Sequence, residues 1–92
     1  MARLNIRTTL RSVVLVGEYC GWDIDKAVRA ELRPGRKFIS VEGMPKGEYR
    51  VLSCRSYQGG EIYPTDGRQM PNRYFGGDYG ETITCYFEKE KE

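Results

Sequence analysis

The chain is 92 residues long, 39% hydrophobic and 30% charged, which predicts one soluble globular domain spanning 1–92. Histidine is absent, excluding Ser-His-Asp and Cys-His catalysis and every zinc site that needs imidazole. A net charge of +2 is too small to name an anionic partner, but it is unevenly spread, with ten Lys/Arg against six Asp/Glu in residues 1–50 and five against seven afterwards. A basic front and an acidic end favour contacts with oppositely charged neighbours. Nucleic acid is not an expected partner, because the longest basic run is Arg36-Lys37 and no binding-module signature is present.

The first residues, Met-Ala-Arg-Leu-Asn-Ile-Arg, hold no apolar signal region, so secretion by a signal peptide is not expected and an intracellular or virion setting is. Leu4, Ile6, Thr8 and Leu10 alternate with polar residues, the period of a half-buried strand. Val13 to Tyr19 is apolar on both faces, as suits a central strand covered on both sides. It is too short to cross a membrane as a helix, and no membrane contact is expected.

Residues 23–32 are ambiguous. Ile24, Val28 and Leu32 lie four apart, Asp23 is a candidate cap and Arg33-Pro34-Gly35 a stop, which fits one short helix. Ala27 to Leu32 fits a strand equally well. Lys37 to Val41 and Glu48 to Tyr57 are further expected strands, separated by Gly43-Met44-Pro45-Lys46-Gly47. Gln58-Gly59-Gly60 reads as a hairpin turn, followed by a short strand at Ile62-Tyr63. Glu81 to Glu88 is the last strand, with Ile83, Cys85 and Phe87 inward, and 88–92 is a charged tail. Several short strands spaced by turns predict an all-β, antiparallel β-sandwich.

Between them, Pro64 to Gly80 is a long connection rich in glycine, with Tyr74, Phe75 and Tyr79 interleaved. Long connections in compact domains tend to carry function. Tyrosine offers contact area at low entropic cost and glycine permits close approach, so Tyr74, Phe75 and Tyr79 are expected to contact a protein neighbour. The cysteines, Cys20, Cys54 and Cys85, are odd in number and widely spaced. They read as free thiols, Cys54 and Cys85 on core strands, and no metal or other cofactor is expected. Glu18, Asp23 and Asp25 are expected to be solvated turn residues rather than catalytic ones, and no enzyme activity is expected.

Val14-Leu15-Val16-Gly17-Glu18-Tyr19-Cys20-Gly21-Trp22-Asp23 resembles the strand and turn of the early-set starch- and glycogen-binding modules. Such modules include the glycogen-binding domain of the AMP-activated kinase β subunit and domains of starch-utilisation outer-membrane lipoproteins. Pro45-Lys46-Gly47-Glu48-Tyr49-Arg50 is similar to a later strand start in that family, and Asp66 to Gly77 to its approach to the last strand. The resemblance implies an immunoglobulin-like (early-set) sandwich and α-glucan binding by stacking of sugar rings on aromatic platforms. Trp22 matches the family's first tryptophan, and Tyr63 is the nearest aromatic to the missing second one. The family's lysine is lost near Val51-Leu52, and its asparagine is replaced around Tyr79-Gly80-Glu81.

Two functions therefore stand as expectations. The first is a non-catalytic accessory module docking on a larger protein assembly, of the kind that decorates a virion or capsid. The alternative is an α-glucan (starch or glycogen) binding module using Trp22 and Tyr63.

Overall fold

A computed structural model describes residues 3–77 and 79–87; the expected charged tail lies outside them. The strands are β1 (Arg3–Arg7), β2 (Ser12–Gly17), β3 (Val28–Glu31), β4 (Ile39–Glu42), β5 (Gly47–Leu52), β6 (Arg73–Phe75) and β7 (Glu81–Thr84). They form two sheets, ordered β4-β1-β7 and β3-β2-β5-β6, so the all-β sandwich is present. Every pairing is antiparallel except β1 with β7, which run parallel with Leu4 opposite Glu81. An immunoglobulin constant domain also divides seven strands four and three. Here the allotment differs, because the small sheet takes the first, fourth and seventh strands.

The alternation of β1 and β5 sets the core. Leu4, Ile6, Tyr49 and Val51 point between the sheets, where they meet Val13, Leu15, Ile39, Phe75 and Cys85. Full burial of one large apolar side chain is worth about 1.5–3 kcal/mol. β2 is apolar on both faces for the expected reason. Its Val14 and Val16 point away from the main core into a second cluster with Ala27 and Leu52, against which Cys20, Trp22 and Ile24 pack.

That second cluster explains the path of residues 18–27, which cross the outer face of β2 instead of forming a helix. A 3-10 turn at Glu18–Cys20 ends on Gly21, whose φ of 64° is the left-handed conformation that glycine adopts freely. A second turn, Ile24–Lys26, is capped by Asp23, which accepts from the Asp25 N–H at 3.0 Å. No helix forms within 23–32 beyond that turn; of the two readings the strand holds, and Val28 onward pairs with β2, with Arg29 opposite Val14. A ten-residue helix is marginal by itself, whereas β3 gains a ladder beside a fully buried strand.

Two side chains clamp this excursion. Tyr19 donates its hydroxyl to the Leu15 carbonyl and accepts from the Val28 N–H at 2.9 Å. Burial pushes the Tyr19 phenol above its usual range, partly opposed by the Val28 hydrogen bond. Arg55 Nη1 donates to the carbonyls of Ile24 and Ala27, each at 2.9 Å.

The expected strand Glu48–Tyr57 ends early, at Leu52, because Ser53 to Ser56 bend away. Cys54 is consequently exposed rather than on a core strand, while Cys85 is buried as expected. A 3-10 turn at Tyr57–Gly59 then returns the chain, and Gly60 bridges back to Leu52. Ile62 forms only an isolated bridge with Gln69. The long connection is interrupted by β6, whose Phe75 is fully buried.

Candidate functional site

Phe75 cannot offer contact area to a neighbour. Residues 73 and 75 of β6 face inward and residue 74 outward, so Phe75 is core while Tyr74 is 59% exposed. Tyr79, ahead of β7, is 85% exposed. The expected contact trio thus reduces to two tyrosines on different segments.

The structure instead groups Tyr74 with residues the sequence reading did not join to it. Tyr49 and Val51 point into the core, so Glu48, Arg50 and Leu52 occupy the outer face of β5. Tyr74 sits directly opposite Glu48 on the neighbouring strand. Asn72 donates to the Glu48 carboxylate at 3.3 Å. Two residues along, the Arg50 guanidinium lies 5.8 Å from the centre of the Tyr57 ring. The Tyr57 hydroxyl donates in turn to the Trp22 carbonyl. Tyr74, Arg50, Tyr57 and Trp22 therefore follow one another across the outer side of the four-stranded sheet.

Trp22 itself is half-buried on the second cluster and has a φ of 60°. A non-glycine residue there is strained by about 1–2 kcal/mol, and the hydrogen bonds from Trp22 N–H to the Gly17 carbonyl (3.0 Å) and from Tyr57 hold it in place. Tyr63 lies elsewhere, in the turn that begins after Glu61. Its N–H donates to the Arg68 carbonyl at 2.8 Å, and the Arg68 guanidinium lies 5.6 Å from its ring. The aromatic that the structure brings to Trp22 is Tyr57.

The carboxylates near Trp22 serve the backbone. Glu18 accepts from the Glu48 N–H, and Asp23 caps its own turn. Among the described residues, no group of three or more Cys, Asp or Glu side chains is arranged to hold a metal ion. Nor does any described helix have the length and apolarity to cross a membrane.

A buried ion pair fixes the edge that carries Tyr74. Arg73 Nε donates to both Glu61 oxygens at 3.0 and 2.9 Å, and Nη2 to Oε1 at 2.7 Å. The same Nη2 reaches the Thr84 carbonyl at 3.1 Å, tying β6 to β7 across the open side of the sandwich. The hydrogen bonds to Glu61 raise the Arg73 pKa further, against the opposing effect of burial. Beside this pair, burial pushes the Tyr49 phenol and the Cys85 thiol far above their usual ranges, with the Glu61 charge adding to both. Cys85 is thus held as an inert thiol. The Tyr49 hydroxyl is buried without a hydrogen-bond partner among the described residues.

Comparison of the chain with protein-family models, curated proteins and solved structures finds no match.

Proposed function

We propose that this chain is a non-catalytic accessory module that docks on a larger protein assembly through the outer face of its four-stranded sheet. The observation that supports it is the run Tyr74, Arg50, Tyr57 and Trp22 on one face. Tryptophan, tyrosine and arginine are the residues that dominate binding energy at protein interfaces. The three aromatic rings are also well anchored, by a strand, a cation–π contact and a hydrogen-bonded turn, so little ordering entropy remains to oppose binding. A decoration subunit, repeated over a virion shell, is the setting this reading favours.

The test is co-sedimentation from the cells that make the protein. The native chain travels with material much larger than itself, and Y57A/Y74A, both exposed positions, moves a still-folded chain to the free fraction. A native chain that sediments alone overturns the proposal.

One observation favours the second reading, an α-glucan module. Trp22 is kept in a strained conformation with Tyr57 beside it, and strain of this kind concentrates at functional sites. Under that reading Tyr57, not Tyr63, is the second aromatic. Titration with maltoheptaose while following the fluorescence of the single tryptophan decides it. A saturable change lost in Y57A supports a glucan site, and an unchanged spectrum at millimolar sugar removes it.

A further inference from the structure

At the sheet edge away from β6, β3 and β4 are the edges of different sheets, each paired among the described residues on one side only, β3 to β2 and β4 to β1. The loop between them carries Arg33, Arg36, Lys37 and Phe38. A groove of about 240 Å³ lies along this seam, lined by Arg3, Arg33, Arg36 and Phe38, with Glu31 of β3 and Ser40 and Glu42 of β4. A second hollow, about 420 Å³, lies on the other side of Arg33 and Arg36 and is bounded by Thr8 to Arg11. Arg3 is paired with Glu42, but Arg11, Arg33, Arg36 and Lys37 form no ion pair among the described residues.

We infer that this groove receives an extended acidic segment of a partner protein, which adds a strand to the β4 edge. An unpaired edge presents a row of N–H and C=O groups that an incoming strand satisfies, and side chains then supply the specificity. In an extended segment, carboxylates at every second position fall on one side, toward Arg33 and Arg36. The residues between them face Phe38, which is half-buried at the groove and offers apolar surface. A polypeptide fits this lining better than a nucleic acid. Glu31 and Glu42 stand among the arginines and would repel the uniformly charged phosphates of a polynucleotide, whereas a peptide can place neutral residues against them. This surface is separate from the aromatic face, so the inference does not depend on the function proposed above.

The probe is a labelled synthetic peptide of alternating Glu and Val, titrated against the full chain at low salt and followed by fluorescence anisotropy. Saturable binding is expected, weakened about tenfold in R33E/R36E, whose substituted side chains are exposed and leave the fold intact. Amide exchange in residues 39–42 should slow on binding, and a peptide N-methylated along its backbone should produce no such slowing. Y57A/Y74A should bind the peptide like the native chain, which separates failure here from failure of the aromatic face. Absence of saturable binding, equal affinity of R33E/R36E, or no slowing in 39–42 overturns the inference. So does tighter binding of an oligothymidylate, or peptide-independent self-association that R33E/R36E abolishes, since the occupant would then be a nucleic acid or a second copy.

Discussion

Replacing Arg73 with Met removes the cation that compensates Glu61. The Glu61 side chain is only 4% exposed and accepts three hydrogen bonds from Arg73. Stranding a charge in this way costs about 3–5 kcal/mol, a large share of the roughly 5–15 kcal/mol that holds a domain together. Removing the other partner should cost less. The Arg73 side chain is 22% exposed and retains the Thr84 carbonyl, so E61Q leaves a cation that still reaches water. The double variant E61M/R73M, with no charge to strand, should be more stable than R73M alone. The exposed Arg3–Glu42 pair serves as a control, because its side chains are 50% and 65% exposed and R3Q should cost about 1 kcal/mol or less. Urea unfolding followed by the fluorescence of Trp22 measures all four. If R73M loses no more than R3Q, or the double variant is no better than R73M, the ion pair is not the clasp described above.

Three further outcomes are expected. In G17A, the new methyl would lie 2.5 Å from the Glu48 carbonyl oxygen and 2.9 Å from the Tyr49 Cα, so urea unfolding should show a loss of about 1–3 kcal/mol although the backbone there is extended. A thiol reagent applied to the native protein should modify the exposed Cys54 first and Cys85 only on unfolding, as read by mass spectrometry of the peptides. The third concerns alkaline stability. Cys85 and Tyr49 have pKa values raised on folding, so the unfolded chain releases these protons first, near its ordinary values of 9.0 and 10.0, and stability falls as pH rises through and beyond that range. C85A/Y49F should flatten this decline in a pH series of urea unfolding curves.

Much of the fold was legible because burial leaves a periodic trace. The two-sided apolar run in β2 announces a strand covered on both faces. Ile83, Cys85 and Phe87 mark the inward side of the closing segment, although the last strand ends at Thr84, so Cys85 and Phe87 pack on the core from beyond it. The 23–32 segment reads two ways because Ile24, Val28 and Leu32 recur at helical spacing for unrelated reasons, and the strand forms. Ile24 covers the second cluster, Val28 is at an exposed edge, and Leu32 packs on the main core. Phe75 looked like a loop aromatic because β6 is only three residues long, too short to display a period. The candidate site was less legible still. Trp22 stands out as a single tryptophan after a glycine turn, but Arg50, Tyr57 and Tyr74 come from three segments and meet only through the β5–β6 pairing and the turn that returns Tyr57 over Arg50. Nor does the spacing of Glu61 and Arg73 distinguish a buried pair from two solvated charges.

Site-specific photo-crosslinking in the native assembly tests the aromatic face most directly. With benzoylphenylalanine placed at position 57 or 74, the account predicts covalent adducts to one and the same partner protein. The same group at Thr82, exposed on the three-stranded sheet, should give none. Equal labelling at all three positions, or no protein adduct at 57 and 74, would contradict a docking role for this face.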